Sequence, residues 1–342
     1  MTDSSGAAAA SPGRVFNRTA AWYLCLGALS AASLLPIVFI PTTHYVLPFS
    51  AAFHLVAAIN LLGATFHVAA TGWFFTDPAM RAHFRSKPAR YLAAPVAIVA
   101  LSALAFQFLE QPVTGYLMIV YLMWQLWHYQ KQNFGVLSFV SAGTDAVPLS
   151  TWERRTLAVA AIPGMLGFLR FFDVGLPEWA PAFLLAYHLG LASYGLVAVC
   201  FGIAVAKGPH LRTNRLRLAY FVYGTLFFLP TYLFSDPASA IAGFALAHGL
   251  QYLVFMGVVS GRTRNPYASG ALFLAIAVAG NFLLSRGIRI HELTNAPYAG
   301  ALFGAAIGVV MVHFVMDADI WRLRETFQRG YMSRKFDFIF RR

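Results

Sequence analysis

Five histidines, His67, His128, His188, His248 and His313, stand 61, 60, 60 and 65 residues apart, each in a long apolar run. Imidazole ligates iron, copper and zinc and carries protons near neutral pH. Polar groups in hydrocarbon are costly and normally face a bundle interior or a water-filled cavity, so five such histidines ask for a reason. The richest setting is Trp124-Gln125-Leu126-Trp127-His128-Tyr129-Gln130-Lys131-Gln132-Asn133-Phe134-Gly135. On a helix, Tyr121, Gln125, His128 and Gln132 follow steps of four, three and four and line one face. Helical spacing likewise groups Asn60, His67 and Thr71, then His248, Gln251 and Tyr252, and it sets Asp317 one turn beyond His313.

The elements that must carry these residues are transmembrane helices. The chain has 342 residues, 59% apolar and 11% charged, with a mean hydropathy of +0.63. A soluble domain carries about a quarter charged residues. The expected fold class is all-α, a polytopic transmembrane bundle. At about 20 apolar residues per crossing, ten spans are predicted, near 20–40, 50–75, 91–107, 113–133, 157–172, 182–206, 218–234, 239–260, 268–285 and 298–316. Prolines such as Pro78, Pro112, Pro209, Pro237 and Pro266 mark joints between them. The fifth span is short and contains Pro163, Gly164 and Gly167, so a broken or re-entrant helix is expected there. Residues 1–13 read as a disordered tail, 14–320 as one transmembrane domain and 321–342 as a basic cytosolic tail.

Charge gives the orientation. With both termini cytosolic, ten spans leave 22 basic residues inside and 3, Arg170, Arg286 and Arg289, outside, as the positive-inside rule requires. The net charge of +12 is therefore topology and not a nucleic-acid surface. The expected location is the plasma (inner) membrane. Arg81 to Arg90 and Arg334 to Arg342 read as contacts to an anionic inner leaflet, Lys131 as a snorkelling cation, Trp124 and Trp127 as interface anchors. His44, His83, His210 and His291 read as ordinary loop histidines.

In this register all five spaced histidines fall on spans running from outside to inside. Part of the period is trivial, since any compact hairpin of two spans takes about sixty residues; the phase is not. One imidazole per helix can build a metal sphere in a bundle core. The expected ligands are His67, His128, His248 and His313, with His188 the worst in depth, and Asp317 is a further ligand or the acceptor that orients His313. Tyr129 and Gln132 are placed near an open coordination position. Imidazoles with one carboxylate favour a redox metal over magnesium or calcium, non-haem iron first, with copper or haem as alternatives.

These features point to a membrane metalloenzyme, an iron oxygenase or related oxidoreductase acting on a lipophilic lipid, isoprenoid or hydrocarbon and served by an electron donor. The alternative is a transporter or permease that uses the same histidines for a solute or protons. A bis-histidine haem protein and a lipid transferase using Asp317 and Asp319 rank lower. For any single histidine the ordinary reading is an interhelical hydrogen bond worth about 0.6 kcal/mol. With only Cys25 and Cys200 there is no disulfide framework, zinc pair or haem-attachment motif. No phosphate loop and no HExxH occurs, and no two histidines lie within four residues, so the histidine boxes of membrane desaturases and alkane hydroxylases are missing.

Overall fold

Proline opens helix after helix: Pro78, Pro209, Pro230, Pro237 and Pro266 each stand at a first helical position, where the missing N–H costs nothing. Asp77 completes one such start, its carboxylate accepting from the Ala79 and Met80 amides. The computed structural model describes residues 22–27, 65–172, 176–234, 237–293 and 296–340. Among them every regular element is a helix.

Six helical stretches are long and apolar enough to cross a membrane: Ala89–Phe108, Thr151–Phe172, Pro177–Lys207, Gly243–Gly261, Pro266–Arg289 and Ala299–Ile320. Of the first predicted span only residues 22–27 are described, as helix, and residues 50–64 of the second, with Asn60, lie outside the described residues. The helices that matter for the site are α1 (His67–Ala70, continued by a 3₁₀ turn Thr71–Phe75), α2 (Pro78–Arg85), α3 (Ala94–Phe108) and α4 (Val113–Thr144). At 32 residues, α4 is about 48 Å long, and the amides, His128 and Lys131 in its middle keep it out of the six. The fifth predicted span is broken, as expected, into α5 (Thr151–Val159) and α6 (Ala161–Phe168). Pro163 explains the break, because in an unbroken helix its ring would press on the carbonyl four residues back. After α7 (Ala180–Lys207) and α8 (Pro209–Thr213), the seventh predicted span also divides, into α9 (Arg215–Leu226) and α10 (Pro230–Leu233). The chain continues through α11 (Pro237–Gly261), α12 (Pro266–Leu293) and α13 (Ala299–Ile320) to α14 (Thr326–Lys335) and α15 (Asp337–Phe340).

α13 seats itself on α3 through Gly300, Gly304 and Gly308, one per turn. A methyl group at Gly304 would meet the Ser102 carbonyl oxygen, and one at Gly300 that of Phe106. Small residues at such positions let two backbones approach closely, the main source of helix association where lipid is the solvent. Gly304→Ala is therefore expected to destabilise the protein, whereas Gly257→Ala on α11, which meets nothing within 4 Å, is neutral or slightly stabilising. Thermal unfolding of both variants in detergent checks this; equal midpoints would contradict the packing account.

The terminal segment read as a basic cytosolic tail has a folded part. Tyr331, Met332, Phe336 and Ile339 of α14 and α15 are buried in the main core cluster. Lys335, read from sequence as a lipid contact, is buried: its Nζ donates to the Arg262 carbonyl at 2.9 Å and lies 3.6 Å from Asp77. Arg329 and Arg334 stay exposed.

His83 also departs from its loop reading. Its ring lies on the buried stripe of α2 with Met80 and Phe84, stacks on Phe327 at 4.1 Å and points Nε2 at Asp319, 3.5 Å away. Burial lowers its pKa; Asp319 pulls it partly back up, and Lys87 and Arg90 push it down. A histidine harder to protonate folded than unfolded contributes stability that is present above the unfolded pKa of about 6.5 and lost as pH falls through the folded one. The unfolding midpoint is expected to drop on acidification through that window, and less steeply in His83→Gln; identical slopes would assign the effect elsewhere.

Candidate metal centre

Four helices bring one imidazole each to a common point: His67 from α1, His128 from α4, His248 from α11 and His313 from α13. All four are buried, at 1%, 8%, 1% and 1% exposure. Their rings form a closed circuit, with centroids 4.6 Å apart for His67–His248, 5.0 Å for His248–His128, 5.0 Å for His128–His313 and 4.8 Å for His313–His67, each pair edge to face. One nitrogen from each ring can be chosen so that all lie within 4.8 Å of one another.

The tautomer of His313 follows from its neighbours. Tyr252 donates its only hydroxyl hydrogen to Asp317 Oδ1 at 3.0 Å, so its oxygen accepts from Thr71 Oγ1 at 2.7 Å. Having spent its hydrogen there, Thr71 accepts from His313 Nδ1–H at 2.7 Å. Nε2 of His313 then carries a lone pair. Among the described residues it has no hydrogen-bond partner, and neither do His128 Nε2 and His248 Nδ1. Buried nitrogens of this kind are expensive to leave unpaired, and a metal ion between His128 and His313 would satisfy their two Nε2 atoms; His248, whose Nε2 faces His67, would leave its Nδ1 outside that set. The Nε2 atoms of His67 and His248, 3.1 Å apart, stand close to the spacing of about 3.4 Å between two nitrogens bound tetrahedrally at about 2.1 Å. The widest separation, 4.8 Å, exceeds that spacing, so full four-nitrogen coordination requires small ring rotations. The donor set fits iron, copper or zinc, and it contains no thiolate.

Asp317 is buried one turn from His313. Its Oδ2 lies 3.6 Å from His313 Nε2 and 4.0 Å from His128 Nε2, too far for hydrogen bonds and close enough to balance positive charge. Tyr129, buried, sets its ring 4.2 Å from that of His248, and its hydroxyl accepts from Gln125 Nε2 at 2.6 Å. Gln132 bridges to α11, donating to the His248 carbonyl at 2.8 Å and to Gln251 Oε1 at 3.1 Å. It holds the helix that holds the histidine.

His188 does not join the group. It is exposed on α7, beside Leu184, Leu185 and Leu189, all more than half exposed, and its ring meets that of Tyr187. The polar stretch of α4 also divides. Gln130 donates to the carbonyls of Leu157 and Gly224, and Asn133 to Gln130 Oε1, so this pair ties α4 to α5 and α9. Trp124 packs its ring 5.7 Å from Phe314, while Lys131 lies 4.7 Å over Trp127. Phe314, which sequence reasoning did not single out, stacks on His128 at 4.5 Å; nothing in an apolar run distinguishes it from its neighbours.

Thr71 is the residue outside the ligand set whose loss is easiest to isolate. Thr71→Val keeps the shape, removes the acceptor of His313 Nδ1–H and frees the ring to turn. Groups in that position typically cost about 10- to 100-fold in metal affinity. Competition with a chelator should show a loss in that range; unchanged affinity would mean that His313 is oriented otherwise.

No family model matches the chain, and comparisons with curated proteins and with solved structures find no match.

Proposed function

We propose that this is an integral membrane metalloenzyme, a non-haem iron oxygenase or related oxidoreductase acting on a lipophilic lipid, isoprenoid or hydrocarbon. The observation that carries it is the buried circuit of four imidazoles, in which Nε2 of His128 and of His313 have no partner among the described residues. Iron ranks above copper and zinc because the ligands are all imidazole, a carboxylate stands beside them, and the site is sealed in apolar packing. Bound there, iron would supply one-electron and dioxygen chemistry. His67, His128, His248 and His313 would hold it, Thr71 and Tyr252 would fix His313, and Asp317 would offset its charge. Tyr129 and Gln132 shape the His248 side, where an oxidant would approach. Haem fits poorly, since rings packed edge to face at 4.6–5.0 Å leave no room for a porphyrin plane. The ten-span arrangement with both termini cytosolic, in a plasma (inner) membrane, rests on the division of basic residues. Arg81, Arg85, Lys87, Arg324, Arg329 and Arg334, all exposed, would meet anionic lipid or an acidic electron donor.

Metal analysis and an absorption spectrum of the full chain, purified in detergent without added metal, test the reading. Stoichiometric iron or copper without a Soret band is expected. Folded, metal-free protein that also fails to take up added iron or copper would overturn it. A second reading, a proton-coupled permease, draws on the hydrogen-bonded chain from His313 through Thr71 and Tyr252 to Asp317. Solute uptake driven by a proton gradient in vesicles of metal-free protein would select it.

A further inference from the structure

A cavity of about 370 Å³ opens between the end of α3, the start of α4 and the start of α13. Its walls are Phe106, Leu109, Met118 and Phe303, its polar lining is Gln111 and Thr114, and among the described residues no charged side chain lines it. Gly300 forms part of the floor, held against the Phe106 carbonyl with no side chain of its own. The volume lies in the range of small-molecule sites, about 300–1,000 Å³. Its position along the helices is the telling feature. Met118 precedes His128 by ten residues on α4, and Phe303 precedes His313 by ten residues on α13, so along both walls the cavity stands about 15 Å from the histidines. The intervening packing is continuous and apolar: Met118, Phe303 and Phe106 lie against a cluster that includes Tyr121, Ile307, Val310 and Phe314. Tyr121 stacks over Phe314, and Phe314 over His128.

We infer that this cavity holds one end of the substrate: an elongated, uncharged, apolar molecule with a single neutral polar terminus, such as an isoprenoid alcohol, whose far end reaches the four histidines between α4 and α13. The terminus hydrogen-bonds to Gln111 or Thr114, the polar groups among the described residues of the lining. A carboxylate or phosphate would find no countercharge there. Tyr121 and Phe314 stand between the two ends, and their side chains turn aside when the chain is threaded. The inference rests on the metal-centre reading only for what happens at the far end.

The test uses the full-length protein in nanodiscs with a diazirine-bearing isoprenoid alcohol, followed by ultraviolet crosslinking and peptide mapping; a diazirine-bearing phosphatidylcholine serves as comparison. Label is expected in the peptides holding Phe106, Met118 and Phe303, displaced by excess unlabelled alcohol. Met118→Trp and, separately, Thr114→Phe should lose most of it while metal content stays as in the parent protein. Label spread over the lipid-facing Leu184–Leu189 stretch, label that excess alcohol does not displace, or equal labelling of the cavity by the phospholipid would overturn the proposal. Metal measured on the same samples separates the two readings. Displaceable label on protein that takes up no metal keeps the cavity and removes the metal centre; bound metal without displaceable label does the reverse.

Discussion

Replacing His313 with glutamine is expected to abolish metal binding at the candidate centre. His313 has its Nδ1 committed to Thr71 and its Nε2 without a partner, so Nε2 is the atom offered to the metal. Glutamine keeps much of the volume and a hydrogen-bonding end, which spares the packing against Phe314, but an amide is a poor ligand for iron or copper. Losing one of four ligands should exceed the 10- to 100-fold that supporting residues such as Thr71 typically cost. Purified His313→Gln protein should carry no metal after dialysis against a chelator that leaves the parent protein loaded. His128→Gln should do the same. His188→Gln provides the control: its side chain is exposed among leucines of α7, and its metal content should match the parent. Retention of metal by both His128→Gln and His313→Gln would remove the metal-centre reading and leave four histidines that hold helices together.

The second large effect lies away from the site. Arg217, 1% exposed, donates through Nε and Nη2 to the two oxygens of Glu153, each at 2.8 Å. Nη1 reaches both oxygens of Asp145 at 3.1 Å, and the Val147 and Pro148 carbonyls take further bonds. One guanidinium thus closes the α4–α5 connection onto the start of α9. Glu153 is equally buried and also completes the capping box of α5 with Ser150. Arg217→Met would leave that carboxylate buried without its cation, a loss of about 3–5 kcal/mol. The double variant Arg217→Met with Glu153→Leu removes both charges and should recover part of the loss, though the cap of α5 goes with Glu153. Unfolding in detergent followed by circular dichroism measures both. A single variant as stable as the parent would show that the cluster is open to water and worth little.

The two effects differ in how visible they are along the chain. The ion cluster joins Asp145, Glu153 and Arg217 across more than sixty residues, and nothing in their spacing announces it; in sequence they are loop charges, of which only Arg217 counts toward orientation. The same holds for His83, whose place on the buried stripe of a short amphipathic helix depends on Phe327 and Asp319 arriving from the far end of the chain. The four clustered histidines were easier to find because the membrane filters the candidates. An imidazole in an apolar run has few permitted environments, so His67, His128, His248 and His313 stand out individually. His188 passed the same filter and lies elsewhere: a sixty-residue period fixes how deep a side chain sits, but not which way its helix is turned.

Composition and spacing alone determined that the chain is helical and membrane-embedded, where most of its joints fall, and which side chains were chemically out of place in hydrocarbon. Those are local properties, set by the cost of burying polar groups and by the rigidity of proline. The tertiary structure alone decided that four of the histidines meet, that Thr71 and Tyr252 orient one of them, that half of the polar stretch around His128 serves as glue between helices, and that the terminal basic run is partly folded. Each of these depends on helix rotation and neighbour order, which arise from close packing such as that of Gly300, Gly304 and Gly308 on α3 and have no periodic signature along a single strand of sequence.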